Sequence, residues 1–141
     1  DDLTPEEQNL VAKDIDISNK AHRALYDKNA AGMKNMMQGQ MAERMYKSMC
    51  VWDETFGETI ANYLKEKNDK NIQVMVILGS GHAAYKFNTP ERSYKRYPAP
   101  FRTLVPYILN DNRGKESDFR KLLSENPLIG DFIYFSPVTT R

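Results

Sequence analysis

The clearest hydrophobic pattern in the chain lies between residues 41 and 63. Apolar side chains recur there at steps of three and four, as they do along one face of an α-helix: Met41, Met45, Met49, Trp52, Phe56, Ile60 and Tyr63. The spacing predicts a long helix that begins after Gly39 and ends near Lys67. We expect its apolar face to be buried, with Trp52 in the core.

Three shorter apolar runs predict β-strands. The run "IQVMVIL" (residues 72–78) is almost continuously apolar and rich in β-branched residues, which is typical of a strand covered on both faces in a parallel sheet. The runs "FRTLVPYIL" (101–109) and "GDFIYFSPV" (130–138) are the other two candidates. Proline cannot donate a hydrogen bond to a neighbouring strand, so Pro106 indicates an edge strand or the end of a strand.

Two short helices are predicted near the amino terminus. Thr4 and Glu7 have the spacing of a capping box, which begins a helix that ends at about Lys13. Ser18 is a candidate cap for a second helix over residues 19–29. The glycine-flanked, methionine-rich stretch that follows has little periodicity, and we interpret it as a mobile connection.

One more helix is predicted in "SDFRKLLSENP", capped by Ser117 and ended before Pro127. The order of elements gives an α/β fold in which helices pack on a small, mainly parallel sheet. We divide the chain into a helical segment with its connection, residues 1–38, and an α/β core, residues 39–141. Three strands cover too little of the long helix, so we expect a dimer or the second half of a larger domain.

Composition excludes several classes of function. The net charge of +1 gives no basis for general affinity for nucleic acid. A single cysteine, Cys50, excludes an internal disulfide and a zinc cluster of four cysteines. No apolar run approaches the roughly 20 residues of a membrane-spanning helix.

The turn "GSGH" follows the first predicted strand and predicts a ligand site at the carboxyl end of the sheet. Gly79 and Gly81 allow unusual backbone angles and leave room for a ligand, and His82 would lie near a helix start in the neutral form that ligates metals. The alternative is a partly buried histidine bonded to a backbone carbonyl. The other histidine, His22, is interpreted as a surface residue of a helix.

The turn does not fit the common nucleotide motifs. It lacks the third glycine of a dinucleotide fingerprint and the Gly-Lys-Ser/Thr of a phosphate loop. The next stretch, "YKFNTPERSYKRYPAP" (85–100), interleaves aromatic and cationic residues, as expected for a site that binds a flat apolar ligand with acidic groups. A solvated basic loop is the alternative.

Three stretches of this sequence together resemble the ChaN-like haem-binding lipoproteins, which share a superfamily with the Tiki proteases and the erythromycin esterases. They are "VWDETFGETIANYL", "VMVILGSGHAAYKFNTPERSYKRYP" and "FRTLVPY". The positions that match the family pattern are Trp52, Asp53, Gly79, Gly81, His82, Tyr85, Pro90 and Arg92. The sequence departs from the pattern at Phe56-Gly57 and at Asn88-Thr89, and the family's amino-terminal half has no counterpart here.

The resemblance implies a non-enzymatic haem-binding protein of bacterial iron acquisition at the cell envelope. It implies haem at a dimer interface, or a site completed by the amino-terminal half. Tyr85 is the expected iron ligand, with His82 ligating or hydrogen-bonding and Arg92 meeting a propionate; Gly79 and Gly81 would line the site. The alternative iron ligands are Tyr94, Tyr97 and a methionine of the Met33–Met45 cluster.

Two further functions compete with haem binding. The superfamily includes hydrolases, so His82 is also a candidate base or metal ligand of a metal-dependent hydrolase. No nucleophile and base stand at a recognisable spacing in the sequence, which argues against that function. A domain for oligomerisation, with the methionine-rich helix as its surface, is the third possibility.

Overall fold

The computed structural model describes residues 3–30, 40–109, 116–124 and 128–137. The elements within these ranges, in chain order, are α1 (Pro5–Gln8), α2 (Lys20–Ala30), α3 (Gln40–Lys67), a 3₁₀ turn (Ser80–His82), α4 (Thr89–Arg96), β1 (Leu104–Leu109), α5 (Glu116–Ser124) and β2 (Phe132–Pro137). Five helices and a small parallel sheet confirm the predicted α/β class.

The long helix is confirmed as α3, but it buries a different face from the predicted one. Its buried residues lie on the side that carries polar groups: Tyr46, Cys50, Asp53, Glu54, Gly57 and Ala61. The segment packed on that side is α4. The predicted apolar face is partly open, and the Trp52 side chain is 58% exposed, so its placement in the core was wrong.

The docking of α4 explains why the polar face of α3 is inside. Gly57 carries no side chain, and a Cβ at this position would lie 2.9 Å from the Arg92 Cβ. The two helices therefore approach closely at Gly57. Glu54 and Asp53 flank this contact and receive hydrogen bonds from α4, which compensates the burial of their carboxylates.

The presence of α4 corrects the prediction of a loop over residues 85–100. The helix begins at Thr89, with Pro90 in its first turn, where a missing N–H costs nothing. Its residues are mostly polar, and only Thr89, Arg92 and Ser93 are buried. Because so few positions face inward and all are polar, hydrophobic periodicity does not reveal this helix.

The sheet contains two parallel strands among the described residues. Leu104 pairs with Phe132, and the register continues to Leu109 with Pro137. The connection between the strands carries α5, as parallel strands require a crossover. Pro106 is tolerated since each strand of this pair has one open edge, which confirms the edge position that we predicted.

The run at residues 72–78 does not form a strand, so this prediction was wrong. No segment of the described residues pairs with it. Met75 and Ile77 are 88% and 89% exposed, and Val74 and Val76 are also open to solvent. Its β-branched composition gives strand propensity, but a strand needs a partner for its backbone groups.

The remaining helices differ in detail from prediction. The capping box at Thr4 is present, but α1 ends at Gln8 rather than near Lys13. The cap of α2 is Asn19, whose side chain accepts hydrogen bonds from two backbone N–H groups, so the Ser18 assignment is one residue early. Helix α5 begins at Glu116, before Ser117. Pro127 and the methionine-rich connection lie outside the described residues, and the division of the chain at residue 38 stays a prediction.

Candidate functional site

The turn that carries His82 is a short 3₁₀ helix held by its own backbone. His82 N–H donates to the Gly79 carbonyl over 2.9 Å, and the Asn88 side-chain amide donates to the Gly81 carbonyl. The Asn88 side chain is fully buried. The turn before α4 and the start of α4 are therefore fixed to each other.

Neither Gly79 nor Gly81 has a φ angle that only glycine adopts readily. Gly79 has φ −58°, and no left-handed φ occurs at Gly81. A Cβ on Gly79 would meet His82 Cδ2 at 3.7 Å, and one on Gly81 would meet Met49 Cε at 3.9 Å, both ordinary contacts. The unusual angles that we expected at these positions are absent, and the space beside them is not crowded.

The left-handed backbone lies instead at Tyr85 and Lys86, with φ of 59° and 67°. Non-glycine residues seldom adopt this region, and successive ones do so only when surrounding contacts hold them. Two contacts do so here: Tyr85 N–H donates to the Ile129 carbonyl over 2.7 Å, and Lys86 Nζ lies 2.6 Å from Asp131 Oδ1. This strained pair anchors the segment after His82 to the residues before β2.

The central contact of the site joins His82 to Asp53. His82 Nδ1 lies 2.9 Å from Asp53 Oδ1, which also accepts a hydrogen bond from Thr89 Oγ1 at 2.9 Å. The Asp53 side chain is completely buried, whereas the His82 side chain is 28% exposed. The ring of His82 thus spans the distance from a buried carboxylate to the protein surface, with Nε2 directed away from Asp53.

His22 lies on the other side of the same carboxylate, which corrects its prediction as a surface residue. Its side chain is 0% exposed, and its Nε2 lies 3.7 Å from Asp53 Oδ2. Burial lowers the pKa of His22; the Asp53 carboxylate acts against this effect and the Arg92 guanidinium reinforces it. His22 is therefore held neutral, and both histidines of the chain converge on Asp53.

Arg92 does not reach the surface beside His82. Its guanidinium is buried, pairs with Glu54, and donates to the Asp16 carbonyl over 3.0 Å. Arg96 also pairs with Glu54. Arg92 thus forms a buried ion pair, and its contact with a propionate stays a prediction.

An apolar surface adjoins His82 on α3. The Phe56 ring stands edge-on to the His82 ring at a centroid distance of 5.6 Å, and Trp52 packs on Phe56 at 5.4 Å. The Met49 methyl group approaches Gly81. Beyond Trp52 the same face continues with exposed Met45 and Met41.

The three candidate tyrosines differ in burial and in their position relative to His82. Tyr85 is half-buried and lies three residues after His82. Tyr94 is exposed on α4 and packs against Phe101 with ring centroids 5.9 Å apart, and Tyr97 ends α4.

The described residues contain neither a cluster of metal ligands nor a membrane-spanning helix. The described ranges contain no group of three or more His, Cys, Asp or Glu residues arranged to hold a metal ion. No helix within them is long and apolar enough to span a bilayer.

Comparison with known proteins identifies the family. The profile of the family described as "Haem-binding uptake, Tiki superfamily, ChaN" matches residues 1–92. The chain belongs to this family. The matched range includes α3, the His82 turn, Asp53 and the first half of α4, so the cluster around Asp53 lies within it. No curated protein and no solved structure matched the chain.

Sequence reasoning missed the Asp53–His82 pair and the place of His22. Asp53 matched the family pattern, but the sequence did not place it against either histidine. One signal was present: only two histidines occur in the chain, and His22, Asp53 and His82 all lie within residues 1–92, which the family profile matches.

Proposed function

We propose that this ChaN-family chain binds haem non-covalently on the surface beside the Ser80–His82 turn. The observation that carries the proposal is the partly exposed His82 imidazole, whose Nδ1 is engaged by buried Asp53 while Nε2 is directed away from it. An imidazole nitrogen oriented by a carboxylate is a common haem and metal ligand. The family's description supports haem uptake as the physiological role, and we further propose the bacterial cell envelope as its location.

The donor set fits ferric haem. His82 offers a neutral nitrogen donor, and Tyr85 offers a phenol that becomes a hard anionic donor when ionised. Tyr85 follows His82 by three residues and is held in a strained conformation, which is frequent at ligand sites. We therefore retain both residues as candidate iron ligands, with His82 the better supported by geometry.

The surroundings of His82 fit a flat apolar ring. Phe56, exposed Trp52 and Met49 provide aromatic and thioether surface next to the turn. Exposed tryptophan and methionine side chains in one stripe are unusual for a surface that contacts only water. The stripe also supports haem bound between two copies of the chain, with association with an amino-terminal segment as the alternative.

Hemin titration tests the proposal. We expect the Soret band to shift on binding to the wild-type chain, and we expect His82→Ala to weaken binding and change the spectrum. Tyr85→Phe tests the phenolate, and Tyr63→Phe, an exposed tyrosine on α3 away from the turn, is the matched control. If wild type, His82→Ala and Tyr85→Phe titrate identically, neither residue belongs to the site. Light scattering with and without hemin tests the dimer.

A hydrolase is the second candidate, and the Asp53–His82 pair is the observation that favours it. A buried carboxylate on Nδ1 with Nε2 toward the surface is the arrangement that orients a general base. A screen with ester and peptide substrates, together with metal analysis, tests this function. Turnover that disappears in His82→Ala would support the hydrolase; no turnover by wild type would oppose it.

A further inference from the structure

We infer that Asp53 is a positioning residue that fixes His82 in the Nδ1–H tautomer and makes its Nε2 a donor selective for ferric over ferrous haem. The tautomer follows from the His82–Asp53 contact when the carboxylate is ionised. The oxidation-state preference deepens the proposed function and rests on it. Asp53 is completely buried, so it would influence a ligand at the surface through the His82 imidazole.

The hydrogen bonds determine which ring nitrogen carries the proton. Asp53 Oδ1 accepts from Thr89 Oγ1 and lies 2.9 Å from His82 Nδ1. An ionised carboxylate has no proton to donate, so Nδ1 must be the donor in this pair. In a neutral imidazole the lone pair then lies on Nε2.

The guanidinium of Arg92 does not replace His82 as the partner of the Asp53 carboxylate. The Arg92 guanidinium pairs with Glu54, and its NH2 lies 3.2 Å from His22 Nδ1. Within the described part of the chain, Asp53 Oδ2 makes no hydrogen bond and lies 3.7 Å from Nε2 of neutral His22. The Asp53 carboxylate therefore faces both histidines, and of the two it is His82 that forms a hydrogen bond with it.

A carboxylate and an amide at this position differ in charge. A buried charge is costly, and an amide of the same shape would accept the same two hydrogen bonds through its oxygen. What the amide lacks is negative charge. Negative charge on the Nδ1 partner increases electron density at Nε2, and such donors favour the more positive oxidation state of iron.

The first experiment uses the ligand-free protein and does not depend on haem binding. Nitrogen-15 spectra of the histidine rings, recorded where imidazole is neutral, distinguish the two tautomers. We expect His82 in wild type to be a single Nδ1–H species. We expect Asp53→Asn to keep this tautomer, since its amide oxygen still accepts, and Asp53→Ala to lose it. A wild-type His82 that is Nε2–H or averaged between tautomers overturns the inference, whether or not the variants fold.

The second experiment separates charge from position. Ferric hemin affinity is expected to fall about 10- to 100-fold in Asp53→Asn, with a smaller change for ferrous haem and a higher midpoint potential. Asp14→Asn, which removes an exposed carboxylate outside the cluster, is the matched control and should match wild type. Equal loss of both affinities in Asp53→Asn, or no loss, overturns the oxidation-state preference. Failure of wild type to bind hemin removes the proposed function and this preference, but leaves the tautomer result standing.

Discussion

Gly57 of α3 lies directly against the α4 backbone at Arg92 and Ser93. A Cβ on Gly57 would stand 2.9 Å from the Arg92 Cβ and 2.9 Å from the Ser93 backbone nitrogen, closer than real Cβ contacts allow. Alanine is the better helix former by about 1 kcal/mol, but the neighbouring backbone cannot move aside without shifting α4. We expect Gly57→Ala to lower the free energy of unfolding by about 1–3 kcal/mol in urea titrations.

Gly81→Ala is the control for this substitution. Its new methyl group would meet only the flexible end of Met49, at 3.9 Å, so we expect a stability close to wild type. An equally stable Gly57→Ala protein would show that α4 does not pack on α3 in the way described.

Glu54 of α3 also stabilises the contact with α4, through ion pairs with two arginines. Its carboxylate pairs with Arg92 and Arg96, and the Glu54 and Arg92 side chains are both almost completely buried. Truncation to alanine leaves a buried guanidinium without its counter-ion. Loss of one partner of a buried pair costs about 3–5 kcal/mol, and we expect Glu54→Ala to lose that amount in thermal or urea unfolding.

The matched surface pair is Glu43 with Arg23, which lie 2.6 Å apart with both side chains about two-fifths exposed. We expect Glu43→Ala to cost less than about 1 kcal/mol. Similar losses at the two glutamates would contradict the burial assigned to Glu54.

The sequence predicted the long helix and the parallel α/β class because both depend on local patterns. Steps of three and four over about six turns specify α3, and apolar runs joined by a capped helix specify β1 and β2. The face that α3 buries was not predictable in this way. It depends on α4, whose inward residues are polar, and on Gly57, whose role exists only at a contact between helices.

The candidate site shows the same limit. His82 and the turn were found from sequence because the turn follows an apolar run and matches a family motif. The Asp53 pair and the burial of His22 depend on contacts across 29 or more positions of the chain. Hydrophobic periodicity counts histidine and aspartate as polar, so it places them outside unless tertiary contacts are known.

Periodicity predicts Trp52 as the aromatic residue in the core, but Tyr46 is buried there instead. Trp52 is mostly exposed, whereas Tyr46 is 1% exposed and packs between His22 and Tyr26. We expect Tyr46→Ala to cost about 3–5 kcal/mol of unfolding free energy, as large buried aromatics do, and Trp52→Ala to cost about 1 kcal/mol or less. Hemin affinity should show the reverse order. A larger stability loss at Trp52 would restore the original core prediction.

His22 makes stability depend on pH. Burial holds the pKa of His22 below its usual value, so the unfolded chain binds the proton more readily than the folded one. The contribution of a neutral His22 is complete above about pH 6.5, the pKa of an unperturbed histidine, and is lost as the pH falls below it. We expect the free energy of unfolding to decrease from about pH 6.5 downward and His22→Asn to flatten this slope.

Asp16 and Asp131 titrate in a separate window. The Ser18 hydrogen bonds lower the pKa of Asp16; for Asp131, burial acts upward but Lys86 and Thr103 hold the pKa below its usual value. Their contributions are lost only as the pH falls below about 4. A slope between pH 5 and 6.5 that survives in His22→Asn would have to come from another group.

Residues 72–78 have strand propensity but form no strand, and substitutions at Ile77 test whether this run is exposed in solution. Ile77 is 89% exposed, whereas Val105 in β1 is 2% exposed. Threonine keeps β-branching at both sites but adds a hydroxyl, which is costly only where it is buried. We therefore expect Ile77→Thr to change the unfolding free energy by less than about 0.5 kcal/mol and Val105→Thr to cost about 1–3 kcal/mol. Comparable losses in urea titrations would mean that Ile77 is covered in solution, by a second copy if light scattering also shows a dimer that Ile77→Thr weakens.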